Sequence, residues 1–153
     1  MIGTVRRGRS WRATSAALLL VVVLSACVGP SRTDRDFHRK ASNSAEAMRS
    51  AVETGRLVAD LVVRDRAFGN YANVAATEAE SAANSVMATF DSVQPPSTAA
   101  DDVRDKLDSL FQQASGALGD LRIAVRRHLL ADVKKAADDL KKVSAELEPL
   151  VGV

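Results

Sequence analysis

VRDKLDSLFQQASGALGDLRIAVRRH, residues 103–128, carries apolar or small side chains at Val103, Leu107, Leu110, Phe111, Ala114, Ala117, Leu118, Leu121, Ala124 and Val125, with His128 closing the stripe. Spacings of three and four residues put all of them on one face of a helix. The stripe stays in phase across Gly116 and Gly119, so the stretch reads as one helix, straight or bent, rather than two. Such a helix needs partners to bury its apolar face, and the flanking sequence supplies three more.

Upstream, Asp34 to Arg66 repeats the spacing with Ala41, Ala45, Met48, Val52, Gly55, Ala59 and Val62, widened by Ala51, Val58 and Leu61. Gly69-Asn70 reads as its left-handed stop. A second segment, about Tyr71 to Val93, carries Tyr71, Ala75, Ala79, Ala82, Val86, Phe90 and Val93. Pro95-Pro96 end it, because proline cannot continue the ladder and restrains the residue before it. Ser97 or Thr98 caps the 103–128 helix, with Asp101 and Asp102 near its positive end. Phase is lost between Leu129 and Asp132. Asp132 is the predicted N-cap of a last helix holding Val133, Ala136, Ala137, Leu140, Val143 and Leu147, and ending near Pro149. Its Lys and Asp doublets predict Lys134–Asp138 and Asp138–Lys142 pairs, each worth a few tenths of a kcal/mol. The repeat from Val133 to Val143 is coiled coil-like, but two heptads are too few for pairing between chains. No window alternates with period two between turn signals, so no sheet is expected. Four amphipathic helices on short connections predict an all-α fold, an antiparallel up-down four-helix bundle over residues 34–153. The many alanines on the stripes predict close helix approach.

Ahead of the bundle, Arg6, Arg7, Arg9 and Arg12 form a basic start, followed by an apolar run from Ala13 to Leu24. A dozen residues suit a signal-peptide core and fall short of the ~20 a spanning helix needs. The run closes on Leu24-Ser25-Ala26-Cys27, which resembles the lipobox of bacterial lipoproteins. That resemblance implies removal of residues 1–26, a diacylglyceryl group on the Cys27 thiol and acylation of the new amino terminus. It therefore predicts a cell-membrane anchor facing the extracytoplasmic side, since two or three acyl chains hold stably. Residues 27–33 then form the lipidated cysteine and a tether of at most ~25 Å.

Losing the four arginines and no acid turns 21 cations against 19 anions into 17 against 19, a formal −2. The basic balance belongs to the signal, so nucleic-acid binding is not expected. With Cys27 the only cysteine, no intramolecular disulfide is available. Catalysis needs a nucleophile with its base, a metal cluster or placed carboxylates. His38 and His128 are the only imidazoles and are expected at opposite ends of the bundle. No Glu-x-x-His pair, phosphate loop or metal-type spacing occurs, Met48 and Met87 read as core, and neither an enzyme nor a cofactor is expected.

Up-down topology gathers Arg64, Arg66, Arg126, Arg127, His128, Lys134 and Lys135 at one end, with Phe68, Tyr71 and Leu129 among them and Asp65 and Asp132 opposing. The other end collects Asp34, Asp36, Asp91, Asp101, Asp102, Glu146 and Glu148. Helix-dipole compensation is the plainer account of this polarity, but it does not cover Lys134 and Lys135 at a helix start. The sharper account is a tip for an acidic partner, with Arg64, Arg66, Arg126, Arg127, Lys134, Lys135 and Tyr71 as its residues. The leading expectation is a non-enzymatic accessory or scaffold lipoprotein contacting another envelope protein. The alternatives are a small-ligand binder or sensor with a cavity between helices, and a plain spacer. A binder needs a pocket of about 300 Å³ or more, an adaptor an exposed apolar or charged patch, and a spacer neither.

Overall fold

Thr33 adopts extended backbone and its hydroxyl accepts from the Asp36 N–H at 3.2 Å, with Asp34 and Asp36 in the turn that follows. This cap opens α1, Asp34–Val63. Ser97 accepts from the Ala100 N–H at 3.3 Å and opens α3, Thr98–Arg126. Between them α2 runs Gly69–Asp91 and stops short of the two prolines. The last helix, α4, runs Leu130–Leu147 and passes into a 3-10 turn, Glu148–Leu150. The computed structural model describes residues 31–67 and 69–152; Cys27, the predicted signal and most of the tether lie outside them. No strand occurs among the described residues, and no helix there is long and apolar enough to cross a membrane.

Each helix packs on its neighbours around a square, and the bundle is up-down as expected. The Ser97 hydroxyl donates to Asp34 Oδ1 at 2.7 Å, which puts the starts of α1 and α3 at one end, the base. Gly69 lies against the His128 ring at the other end, the tip. Across the diagonals, α1 touches α3 while α2 and α4 do not meet. Gly55 permits that contact: a Cβ there would overlap Leu118 Cδ2 and stand 3.2 Å from Leu140 Cδ1.

The 103–128 stripe is the core of the bundle. Leu107, Leu110, Phe111, Ala114, Ala117, Leu118, Leu121, Ala124 and Val125 are all buried, and α3 runs unbroken through both glycines. Gly116 has open space where a Cβ would go. Gly116→Ala should therefore raise unfolding free energy by about 0.5–1 kcal/mol, read by urea denaturation, because it removes only the backbone freedom of an exposed mid-helix glycine. Phe37, Phe90 and Phe111 cluster toward the base, with ring centroids 6.3 Å apart for the first pair and 5.3 Å for the second. Arg104 lies 5.9 Å over the Phe90 ring and donates to the Asp91 carbonyl at 3.1 Å and to the Val93 carbonyl, satisfying acceptors left free where α2 ends. All buried apolar side chains among the described residues belong to one cluster inside Ser31–Val153, itself a compact unit.

The register of α2 differs from the expected one. Ala72, Ala76, Ala79, Ala83 and Phe90 are its buried residues, while Tyr71 and Ala82 face solvent. The first stop also differs. Asp65, not Gly69, takes the left-handed conformation after α1 (φ 55°), and Gly69 begins α2. The Arg66 N–H reaches the Leu61 carbonyl at 2.8 Å and the Asp65 N–H reaches Val62 at 3.1 Å, the paired bonds of a Schellman stop. His128 (φ 58°) closes α3 the same way, with Leu129 N–H to Ala124 and His128 N–H to Val125. Asp132 is not the cap of α4; Leu129 holds that place with no side-chain bond, and Asp132 sits in the first turn.

The ion pairs of α4 shift by one residue. Lys135 and Lys142 converge on Asp139 at 3.3 and 3.1 Å and hold its carboxyl below its ordinary range, Lys142 contributing most. Val133, Ala136, Leu140, Val143 and Leu147 are spent on the bundle core, which leaves that heptad face nothing for another chain. Glu53 accepts from Ser144 across the α1–α4 seam and from Arg56 at 2.7 Å. Burial alone would raise its carboxyl, but these hydrogen bonds and the charges of Arg56 and Arg49 bring it below the ordinary value.

Candidate functional site

The tip is built by two helix stops and two helix starts. Schellman closures end α1 and α3, and short links return the chain into α2 and α4. Left-handed backbone costs a non-glycine residue about 1 kcal/mol or more, and such positions concentrate at functional sites. Asp65 and His128 both occupy one, and both line a crevice of about 310 Å³ with Val62, Ala72, Val125 and Leu130.

Toward this end of the bundle lie all the large apolar side chains exposed among the described residues, Leu130 in the crevice itself. Leu57 and Val63 lie in the last two turns of α1, Tyr71 and Val74 in the first two of α2, and Leu129 and Leu130 open α4. Tyr71 is 62 % and Leu130 53 % exposed. Single exposed apolar residues need no explanation, but six confined to one end of a bundle do. Leu129 has a local reason to be apolar, because the residue after a Schellman stop packs on the helix it ends. Leu130 has no such reason. At the cap position Leu129 also takes a place where Ser, Asp or Asn would satisfy free N–H groups.

The cations predicted for the tip are all at this end, on several sides of it. Arg127 and Lys135 share a crevice of about 320 Å³ with Leu129, opposed by Asp120 and Asp132. Lys134 lines the α1–α4 groove, about 610 Å³, with Leu57, Val63 and Asp60. Arg126 lines the α2–α3 groove, about 670 Å³, beside the Glu80–Arg122 pair. Glu80 raises the Arg122 guanidinium above its ordinary value through its hydrogen bonds and its charge. Arg64 is paired with Asp60 at 2.8 Å. Among the described residues Arg66, Arg126, Arg127 and Lys134 make no ion pair. The structure thus spreads the expected single basic patch over separate crevices, with the exposed apolar side chains at the same end. Phe68, predicted for the same end, lies outside the described residues.

Sequence reasoning missed Leu57, Val63, Val74 and Leu130. Each sits within or beside a helical stripe, and only the assembled bundle separates stripe positions that face inward from those that do not. His38 and His128 fall at opposite ends as expected, and no group of three potential metal ligands occurs among the described residues. A fifth crevice, about 540 Å³, lies at the base against the first turns of α1. Compared with protein-family models, with curated proteins and with solved structures, the chain finds no match.

Proposed function

We propose that this protein is a lipid-anchored extracytoplasmic lipoprotein that works without catalysis, as an accessory or scaffold subunit docking another envelope protein through the tip of its bundle. One observation carries the reading. The large apolar side chains left exposed among the described residues are confined to the tip, together with Arg66, Arg126, Arg127 and Lys134, which make no ion pair among those residues. Aromatic and apolar groups ringed by charge are the composition of a protein-binding patch. The anchor rests on the lipobox, and the chain enters α1 at the base, so a lipid on Cys27 would hold the base near the membrane and leave the tip about 45 Å away along α1.

The ligand-binding alternative has one point in its favour. The tip crevice reaches the lower limit of a small-molecule pocket, with Asp65 and His128 as polar groups in an apolar lining. Native mass spectrometry of the lipidated protein, gently released from its own envelope, separates the two. A protein-sized addition supports the adaptor; a few hundred daltons beyond the lipid supports the binder and overturns it. The anchor has its own check. Cys27→Ser should remove the acyl mass and shift the chain from the membrane fraction to an uncleaved or released form. An unchanged mass difference would refute lipidation.

A further inference from the structure

We propose that the crevice at the base is a seat for the phosphate of an anionic phospholipid headgroup. One wall is a single face of α1, where Arg35, His38, Arg39, Ser42 and Asn43 recur at helical spacing. The other wall is Gly152. Gly152 takes the left-handed conformation (φ 84°) and its N–H donates to Ser42 Oγ at 2.8 Å, which bends the tail across α1.

The lining is chemically one-sided. Each of the other four crevices has at least one carboxylate in its wall: Glu80, Asp60, Asp132 and Asp65 respectively mark them. Among the described residues none lines this one, although the base around it carries Asp34, Asp36, Asp101 and Glu148. Two guanidinium groups, an imidazole, a hydroxyl and an amide form a set rich in donors, and guanidinium forks match phosphate oxygens in pairs. Arg39 is held by Asp36 at 2.5 Å. Arg35 makes no ion pair among the described residues, so its charge is unspent.

Connectivity argues for the source of that phosphate. Cys27 precedes Ser31 by four residues, which span at most ~14 Å, and Arg35 to Ser42 climbs only about 10 Å of α1. A lipid on Cys27 therefore brings the crevice to the headgroup layer. This step rests on the anchor reading; the chemistry of the crevice does not.

Flotation of residues 31–153, a compact unit whose described buried apolar side chains form one cluster, with vesicles of phosphatidylglycerol and phosphatidylcholine in equal parts tests the assignment. The domain should float with these vesicles and not with phosphatidylcholine alone. Arg35→Gln should lower the bound fraction roughly fivefold, the worth of one cation at an anionic surface. Arg35→Glu with Arg39→Glu should lower it at least about tenfold. Arg126→Glu with Arg127→Glu, at the cationic tip, should leave it unchanged. Arg35→Gln removes no ion pair within the domain, so its result stands even if the double variant fails to fold by circular dichroism. No flotation, unchanged flotation of Arg35→Gln, or loss in the tip variant would overturn the proposal. Saturating inorganic phosphate at constant ionic strength is the last arm: it should release the domain from the vesicles by competing for the same donors, and undiminished flotation would overturn the seat. The domain lacks Cys27, so failure here condemns the crevice, whereas failure of the anchor shows only in the mass of the whole chain.

Discussion

Gly55→Val should cost the bundle about 3 kcal/mol, near the upper end of what overpacking a close-packed core exacts. The new side chain would enter the point where α1 and α3 cross. Its Cβ alone overlaps Leu118 Cδ2, with Leu140 Cδ1 at 3.2 Å and Leu121 Cδ2 at 3.5 Å behind. Leu118, Leu121 and Leu140 are fully buried, so none can swing into solvent to make room. Either the leucines leave their rotamers or the diagonal contact opens. Gly55→Ala should lose less, because better helix propensity returns up to about 1 kcal/mol. Urea unfolding of both variants reads the effect as a lower midpoint at unchanged slope. A Gly55→Val protein within 1 kcal/mol of the parent would show that α1 and α3 are not pinned there.

Leu129→Asp combined with Leu130→Gln should abolish partner capture, a drop of at least about a hundredfold, while leaving the fold in place. Apolar anchors at the centre of an interface commonly carry 2 kcal/mol or more each. Stability should hold, because Asp at the cap of α4 offers the free N–H groups an acceptor worth about 1 kcal/mol. That gain offsets the contact Leu129 makes as the residue after the α3 stop. The same native mass measurement, run beside a thermal melt, reads both halves. Capture persisting in this variant, and in Arg126→Glu with Arg127→Glu, would remove the tip from the account.

How much of this was legible in the sequence depended on side-chain size. In α3, Leu, Phe and Val alternate with Asp, Lys and Gln, so one phase fits and the buried set matches the stripe nearly residue for residue. In α2 the stripe is written in alanine. Ala72, Ala75, Ala76, Ala79, Ala82 and Ala83 satisfy two rotations of the helix equally, and the choice falls to what α1 and α3 present. The charge doublets of α4 are degenerate for the same reason, since Lys134-Lys135 against Asp138-Asp139 pairs in either register. The stops of α1 and α3 were hidden because Asp65 and His128 stand where glycine is the usual sign. The gathering of cations at one end followed from topology alone. Their spread over separate grooves, and the apolar side chains exposed at the same end, required the assembled bundle.

The alanine face of α2 also sets the order in which the molecule comes apart. Val86, Met87 and Phe90 give the base half of α2 its bulky core contacts, while the half nearest the tip packs only through alanines such as Ala72, Ala76 and Ala79 and is held by little apolar area. The Phe90 end is clasped by Phe37, Phe111 and Arg104. Free energies of local opening track such differences. Native-state hydrogen exchange should therefore find the amides of residues 72–83 exchanging through a partial opening well below global unfolding. Those of α3 should exchange only when the whole domain unfolds, making α2 a leaf hinged at the base, whose tip can lift without dissolving the rest.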